Sequence, residues 1–232
     1  MSYTQGVSRR RSYDQACSVA TALDHIGERW SMLIVRELLL GPLRFSELAK
    51  GIGGAPTDVL TRRLRDLEAD GIVRRRELPA PASATVYELT GLGYELEEPI
   101  LDLGRWGLNF YKLDDLPGLV TASLANALRV ILAPPEDAET IVLQVHNEGH
   151  SNWLRIGGGE SRAGRGEADK ADLTISGSAP DVIGAIAAGG EAEERVEIED
   201  DRDVLLRLRQ WVELPERLRA EVDQAAGQRL AI

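Results

Sequence analysis

Six arginines crowd into fifteen positions: Arg62, Arg63, Arg65, Arg74, Arg75 and Arg76. A guanidinium presents its N–H donors in a rigid planar fork, which suits both phosphate oxygens and the O6/N7 edge of guanine. Placement decides whether they can be used that way. In the stretch from Pro56 to Gly71, Leu60, Leu64 and Leu67 recur at intervals of four and three, which predicts a helix with one buried stripe. At about 100° per residue the opposite face carries Asp58, Arg62 and Arg65, with Thr61 on its flank. Thr57 suits the N-cap and Gly71 the C′ position. A short helix of this kind can enter a major groove, although an ordinary amphipathic helix with a solvated face shows the same pattern. Ile72 to Arg76 reads as a strand that brings three more cations just past the helix end.

Other chemistry is thinly represented. Three histidines, His25, His146 and His150, are too few and too scattered for a metal site, and none is expected. Gly157-Gly158-Gly159 lacks the Lys-Ser/Thr of a phosphate loop, so no nucleotide cofactor is expected. The carboxylates Glu191, Glu193, Glu194 and those from Glu199 to Asp203 fall in charge runs that read as solvated surface. No nucleophile–base pair stands out, so no catalytic residue and no enzyme activity are assigned. Cys17, the single cysteine, excludes an intrachain disulfide. It has two readings: a reactive thiol at a helix start near Arg9 to Arg11, or a small buried hydrophobe.

The elements that would position the arginines come in a definite order. Tyr13 to Ile26 has a helical pattern (Ala16, Val19, Ala20, Leu23, Ile26), interrupted at Gly27. A second helix runs from about Arg29 to Leu40 on Trp30, Leu33, Ile34 and Leu38, and Gly41-Pro42 ends it. Phe45 to Lys50 predicts a short helix, and Gly51 to Pro56 the turn into the arginine-bearing one: a helix-turn-helix. Residues 72–78 and Thr85 to Leu89 alternate as two strands of a hairpin wing, joined by Pro79 to Ala84. Thr90 then caps a helix to about Lys112, with Leu96, Ile100, Leu103 and Trp106 as an apolar stripe in need of a cover. Residues 1–12 read either as a disordered tail or as an arm touching DNA phosphates.

Composition bounds the rest. The 232 residues, 43% hydrophobic and 28% charged, suit a globular protein with a real core. No stretch approaches the roughly 20 apolar residues of a membrane span, and the N-terminus lacks the apolar core of a signal peptide, so the expected location is the cytoplasm. The net charge of −11 is unevenly shared: residues 1–112 hold 15 Lys+Arg and 15 Asp+Glu, so the whole excess lies in 113–232. That asymmetry predicts two domains with different partners, 1–113 and 114–232, divided at the turn-rich Leu113-Asp-Asp-Leu-Pro-Gly118.

The stretches Cys17 to Trp30, Leu38 to Leu48 and Leu60 to Gly71, together with Tyr87-Glu-Leu-Thr-Gly-Leu-Gly93 and Trp106-Gly107, resemble the HxlR-type regulators, a branch of the MarR-like winged-helix DNA-binding proteins. The resemblance covers about 13–112. It implies a homodimer, built through the first and last helices, that binds double-stranded DNA at a palindromic operator with the second helix of the motif in the major groove. Carried over, Thr57, Asp58, Thr61, Arg62 and Arg65 become base or phosphate contacts, and Arg44, Ser46 and Arg75 phosphate contacts. For Cys17 the resemblance implies a candidate for oxidant or electrophile sensing. Two departures stand out: the wing tip Ala82-Ser83-Ala84 lacks the usual basic residue, and Pro56 replaces a small polar or apolar one.

Beyond the linker, Leu119 to Leu132 reads as a helix, 140–146, 152–156, 172–177 and 195–199 as strands, and 180–188 and 204–211 as helices, with a weaker strand before Gly166. This order describes an α+β layer. Over about 118–215 it resembles the sterol-carrier-protein type two fold, which implies an apolar tunnel and a hydrophobic small-molecule effector. The expectation for the whole chain is α+β: an N-terminal winged helix-turn-helix and a C-terminal sterol-carrier-like domain, acting as a homodimeric transcriptional repressor. The alternative is a carrier of lipids whose winged helix serves protein contacts, but such a carrier has no need of six arginines between 62 and 76.

Overall fold

The computed structural model describes residues 12–81, 83–112, 124–200 and 202–228, with side chains described as far as residue 224. The sequence expectations for the arm 1–11, the wing residue Ala82, the linker 113–118 and the helix start at 119–123 lie outside these residues.

Four helices open the chain: α1 (Ser18–Ile26), α2 (Ser31–Leu38), α3 (Phe45–Ile52) and α4 (Thr57–Ala69). Leu60, Leu64 and Leu67 of α4 pack with Ile34 and Leu38 of α2 and Leu48 of α3 in one core, and all are at most 1% exposed. Gly71, in the left-handed region at φ 69°, turns the chain out of α4. It leads into β1 (Val73–Glu77), which pairs antiparallel with β2 (Thr85–Leu89) in register from Val73 opposite Leu89 to Glu77 opposite Thr85. A bridge between Leu43 and Tyr87 ties this wing to the start of α3.

Several expectations need correction here. Helix α1 begins at Ser18 and not at Tyr13, because Asp14 takes φ 51° and the preceding segment folds back: Ser12 Oγ and the Tyr13 N–H both donate to the Asp24 carboxylate at 3.0 Å. Thr57 is not the N-cap of α4; Pro56 is, and Thr57 is the first helical residue. The predicted helix 90–112 is broken into α5 (Gly91–Tyr94), α6 (Glu97–Gly107) and a 3-10 turn, Leu108–Phe110. Thr90 does cap α5, its hydroxyl accepting the Gly93 N–H. The break has a chemical cause in Pro99, which has no N–H to give to the carbonyl of Glu95. It also divides the proposed apolar stripe. Leu96 and Ile100 pack on the helix-turn-helix core, Leu101 is the residue fully buried on α6, and Leu103 and Trp106 are exposed.

The second half starts with α7 (Leu124–Ile131). It continues through β3 (Ile141–Asn147), β4 (His150–Gly157), β5 (Glu160–Arg165), β6 (Leu173–Ser176), α8 (Ala179–Ala187), β7 (Glu197–Asp200), α9 (Arg202–Gln210) and α10 (Glu216–Gln228). Its sheet has the order β5-β4-β3-β6-β7, with β3 and β6 parallel and the other neighbours antiparallel. The chain is α+β as expected, and α10 is a helix that the sequence reading omitted. A separate core fills this half, centred on Leu143, Val145, Leu154, Ile175, Val182 and Leu208.

The two halves meet through buried polar groups. Glu37, at the end of α2, is completely buried, with Arg36 Nη2 at 2.7 Å and Arg165 Nη2 at 3.4 Å. Arg165 also donates to the carbonyls of Glu37 (2.9 Å) and Gly41 (3.2 Å), and its own backbone N–H to that of Leu40 (3.1 Å). Burial lowers the Arg165 guanidinium from its ordinary value, opposed by the charges of Glu37 and Glu47. A second joint lies at Arg129 of α7, 1% exposed, which pairs with Glu97 of α6 at 2.7 Å and donates to Ser161 Oγ at 3.1 Å.

Candidate nucleic-acid interface

The turn between α3 and α4 contains Gly53 and Gly54, both left-handed (φ 62° and 68°), a pair of conformations that side chains resist. At the start of α3 the Glu47 carboxylate accepts the Arg44 N–H at 2.7 Å. This satisfies a donor and leaves the Arg44 guanidinium and Ser46 in solvent. On α4, Thr57, Asp58, Arg62 and Arg65 are exposed, and Thr61 is half-buried with its hydroxyl donating to the Thr57 carbonyl at 2.7 Å. The leucine stripe therefore orients the helix as its spacing predicts.

The six arginines divide by function. Arg63 is 8% exposed and structural: it pairs with Asp66 at 2.7 Å and with Glu28, in the turn before α2, at 3.2 Å. Its burial was legible, since position 63 lies three after Leu60 and four before Leu67, within the stripe. Arg74 and Arg76, two apart on β1, share one face of the wing and both reach Glu88 at 2.8 Å. Arg75 points to the other face, 5.3 Å from the centre of the Tyr87 ring and 3.6 Å from Glu68. Among the described residues Arg62 and Arg65 alone of the six have no hydrogen-bond or ion-pair partner. Of the six, only these two have guanidinium groups uncommitted within the chain.

Glu88 is the anchor of the wing. Burial would raise its carboxyl, but the hydrogen bonds and charges of Arg76 and Arg74 outweigh it and hold the pKa below the ordinary 4.5. The sequence reading passed over both this residue and Glu37, because a carboxylate in an alternating or helical pattern carries no mark of its distant partner. His25 was treated only as a metal candidate, yet its Nδ1 lies 2.9 Å from Asp70, linking α1 to the end of α4. Among the described residues no group of three His, Cys, Asp or Glu side chains is placed to hold a metal ion. Cys17 stands at the N-cap of α1, with its thiol exposed in the single chain. No described helix is long and apolar enough to cross a membrane.

Two helices joined by a glycine turn, the second presenting unpaired arginines beside a two-stranded wing, define a winged helix-turn-helix protein. The model of the HxlR-like helix-turn-helix family matches residues 25–115. Two relatives are the uncharacterized HTH-type transcriptional regulators YtfH of Escherichia coli and YdeP of Bacillus subtilis. YtfH is 32% identical over 106 residues, 46% of this chain and 84% of its own; YdeP is 36% identical over 93 residues, 40% and 73%. The chain belongs to the HxlR-like helix-turn-helix family, with residues 116–232 outside the match. Among solved structures it is similar to the redox regulator HypR in its oxidized form (33% identical, 41% of this chain and 99% of that one, TM-score 0.39). It is also similar to the reduced form of the transcriptional regulator YodB from Bacillus subtilis (31%, 42% and 97%, TM-score 0.38).

The Glu88 arrangement predicts a pH dependence. A carboxyl with a lowered pKa contributes stability that is fully present above pH 4.5 and is lost as pH falls through the lowered value. Glu88→Gln should therefore be less stable than the parent at neutral pH, and the gap should close as the solution is acidified below 4.5. Thermal unfolding followed from pH 7 to 3 checks this; a gap that widens in acid contradicts it.

Proposed function

We propose that the protein is a DNA-binding transcriptional regulator that acts as a cytoplasmic homodimer on a palindromic operator and represses by occupying it. The observation that carries the reading is the pair Arg62 and Arg65: exposed, without protein partners, on a helix whose other face is locked into the core. In this reading α4 lies in the major groove, with Arg62 and Arg65 on base edges or phosphates and Thr57, Asp58 and Thr61 beside them. Arg44, Ser46 and Arg75 contact the phosphate backbone. A lipid carrier using the winged helix only for protein contacts leaves these two cations without a role. Residues 1–113 form the DNA-binding and dimerising domain, and 114–232 a sterol-carrier-like domain that binds a hydrophobic effector.

The dimer rests on a second observation. Trp106 and Phe110, their ring centroids 4.9 Å apart, are 62% and 67% exposed; Leu103 beside them is exposed, as are Val19 and Leu23 of α1. Exposed apolar side chains on the first and last helices of the domain are what a two-fold interface would cover.

Arg62→Ala and Arg65→Ala should each lose about 1–3 kcal/mol of binding at the correct operator, and less on unrelated DNA. Titration at fixed salt measures both, and unchanged operator affinity in the double variant removes α4 as the reader. Leu103→Glu should sediment as a monomer and lose operator affinity, because dimerisation would bury an unpaired carboxylate. A fully dimeric Leu103→Glu would move the interface elsewhere.

A further inference from the structure

Between α6, α7, α8 and α10 lies a partly open cavity of about 340 Å³, at the lower end of the roughly 300–1,000 Å³ of ligand sites. Its walls include Gly104 and Gly107 of α6, Val130 of α7, Ile183 of α8, and Leu218 and Val222 of α10. Among the described residues no charged side chain lines it, and the one side-chain heteroatom is the hydroxyl of Tyr111.

The glycines of α6 are informative. Gly104 is explained by packing: a Cβ there would come within 2.8 Å of the Val130 side chain, so its absence lets α6 lie against α7. Gly107 has no such explanation. Its backbone is ordinary helix (φ −62°, ψ −27°), which any residue adopts, and a Cβ would meet nothing within 4 Å. The chain thus keeps room at Gly107 that neither the backbone nor the packing demands. Arg217 of α10 donates to the carbonyls of Tyr111 and, at 3.5 Å, of Asn109, just past the end of α6.

We infer that this cavity binds a compact, uncharged apolar molecule, aliphatic or aromatic, in direct contact with α6. A fully enclosed carboxylate or ammonium is disfavoured because it would be desolvated with no partner to receive it. The site deepens the reading of a hydrophobic effector, on which it rests, by locating it at the junction of the halves. Gly107 adjoins Trp106 in the chain, so an occupant presses on the helix that presents Leu103, Trp106 and Phe110 to a second copy. A ligand that changes the set of α6 is bound differently by dimers of different geometry, which is the condition for coupling it to operator affinity.

The test uses the full-length protein and the uncharged fluorophore N-phenyl-1-naphthylamine, with its sulfonated analogue 1-anilinonaphthalene-8-sulfonate as control. The expected result is saturable binding of one N-phenyl-1-naphthylamine per chain and at least tenfold weaker binding of the sulfonate. Gly107→Leu, which fills the cavity without straining the backbone, should lose at least tenfold affinity for the probe and keep its melting temperature. Val222→Phe, on the peripheral α10, should do the same and serves if Gly107→Leu fails to fold. Operator affinity should shift at least threefold with the probe in the parent protein and not in the filled variants. Equal probe binding in a folded, filled variant overturns the site. So does a parent that binds no probe while the monomeric Leu103→Glu does, since a second copy then fills the space. Probe binding with unaltered operator affinity overturns the coupling. Operator binding without probe is measured separately, so loss of the DNA-binding reading is distinguishable from loss of the cavity.

Discussion

A carboxylate with no exposure to water must be held by opposite charge, and Glu37 is such a group. Arg36 supplies one cation from the same helix, and Arg165 the other from β5, 128 residues further along the chain. Removing one partner of a buried pair costs about 3–5 kcal/mol, so the second half is bound to the first by more than a linker. The same carboxylate touches the helix-turn-helix itself. A Cβ at Gly51 of α3 would stand 2.8 Å from Glu37 Oε2, so α3 lies directly against this carboxylate. A continuous line of contact therefore runs from β5 through Arg165 and Glu37 to the first helix of the DNA-binding motif.

Helix α6 is the second shared element. It packs inward through Leu101, meets α7 through Gly104, pairs with Arg129 through Glu97, and turns Leu103 and Trp106 to solvent. Eleven residues thus face a core, a neighbouring unit and an uncovered apolar surface. The acid excess of 113–232 is compatible with this docking, because the joints are made by Arg129 and Arg165, cations embedded in an acidic half.

Periodicity reports which face of an element is buried, and where that was the question the sequence answered it. The leucines of α4 are buried where their spacing puts them, and β1, β2 and the strands from Ile141 to Ser176 form as expected, although burial along β1 and β2 does not alternate. Partners distant in sequence are invisible to that method. Nothing in the sequence marks Glu37 or Arg129 as buried, and only the fold shows each enclosed beside a specific group. The break before α6 was marked by Pro99 but outweighed by the apolar residues around it, and α10 was missed because Glu216 to Gln228 is too polar to show a strong stripe. Of the candidate site, the exposure of Arg62 and Arg65 was readable from spacing. The commitment of Arg63, Arg74 and Arg76 to carboxylates was not, since it depends on which acid lies across the turn or the strand.

The grip of the second half on the helix-turn-helix through Arg165 and Glu37 is measured by native-state hydrogen exchange on Arg165→Met. The expected result is faster exchange at the β5 edge together with faster exchange through α2 and α3, with the helices of the second core, α8 and α9, unchanged. Exchange that quickens only around residue 165, leaving α2 and α3 as protected as in the parent, would contradict the account and make the contact between the halves incidental.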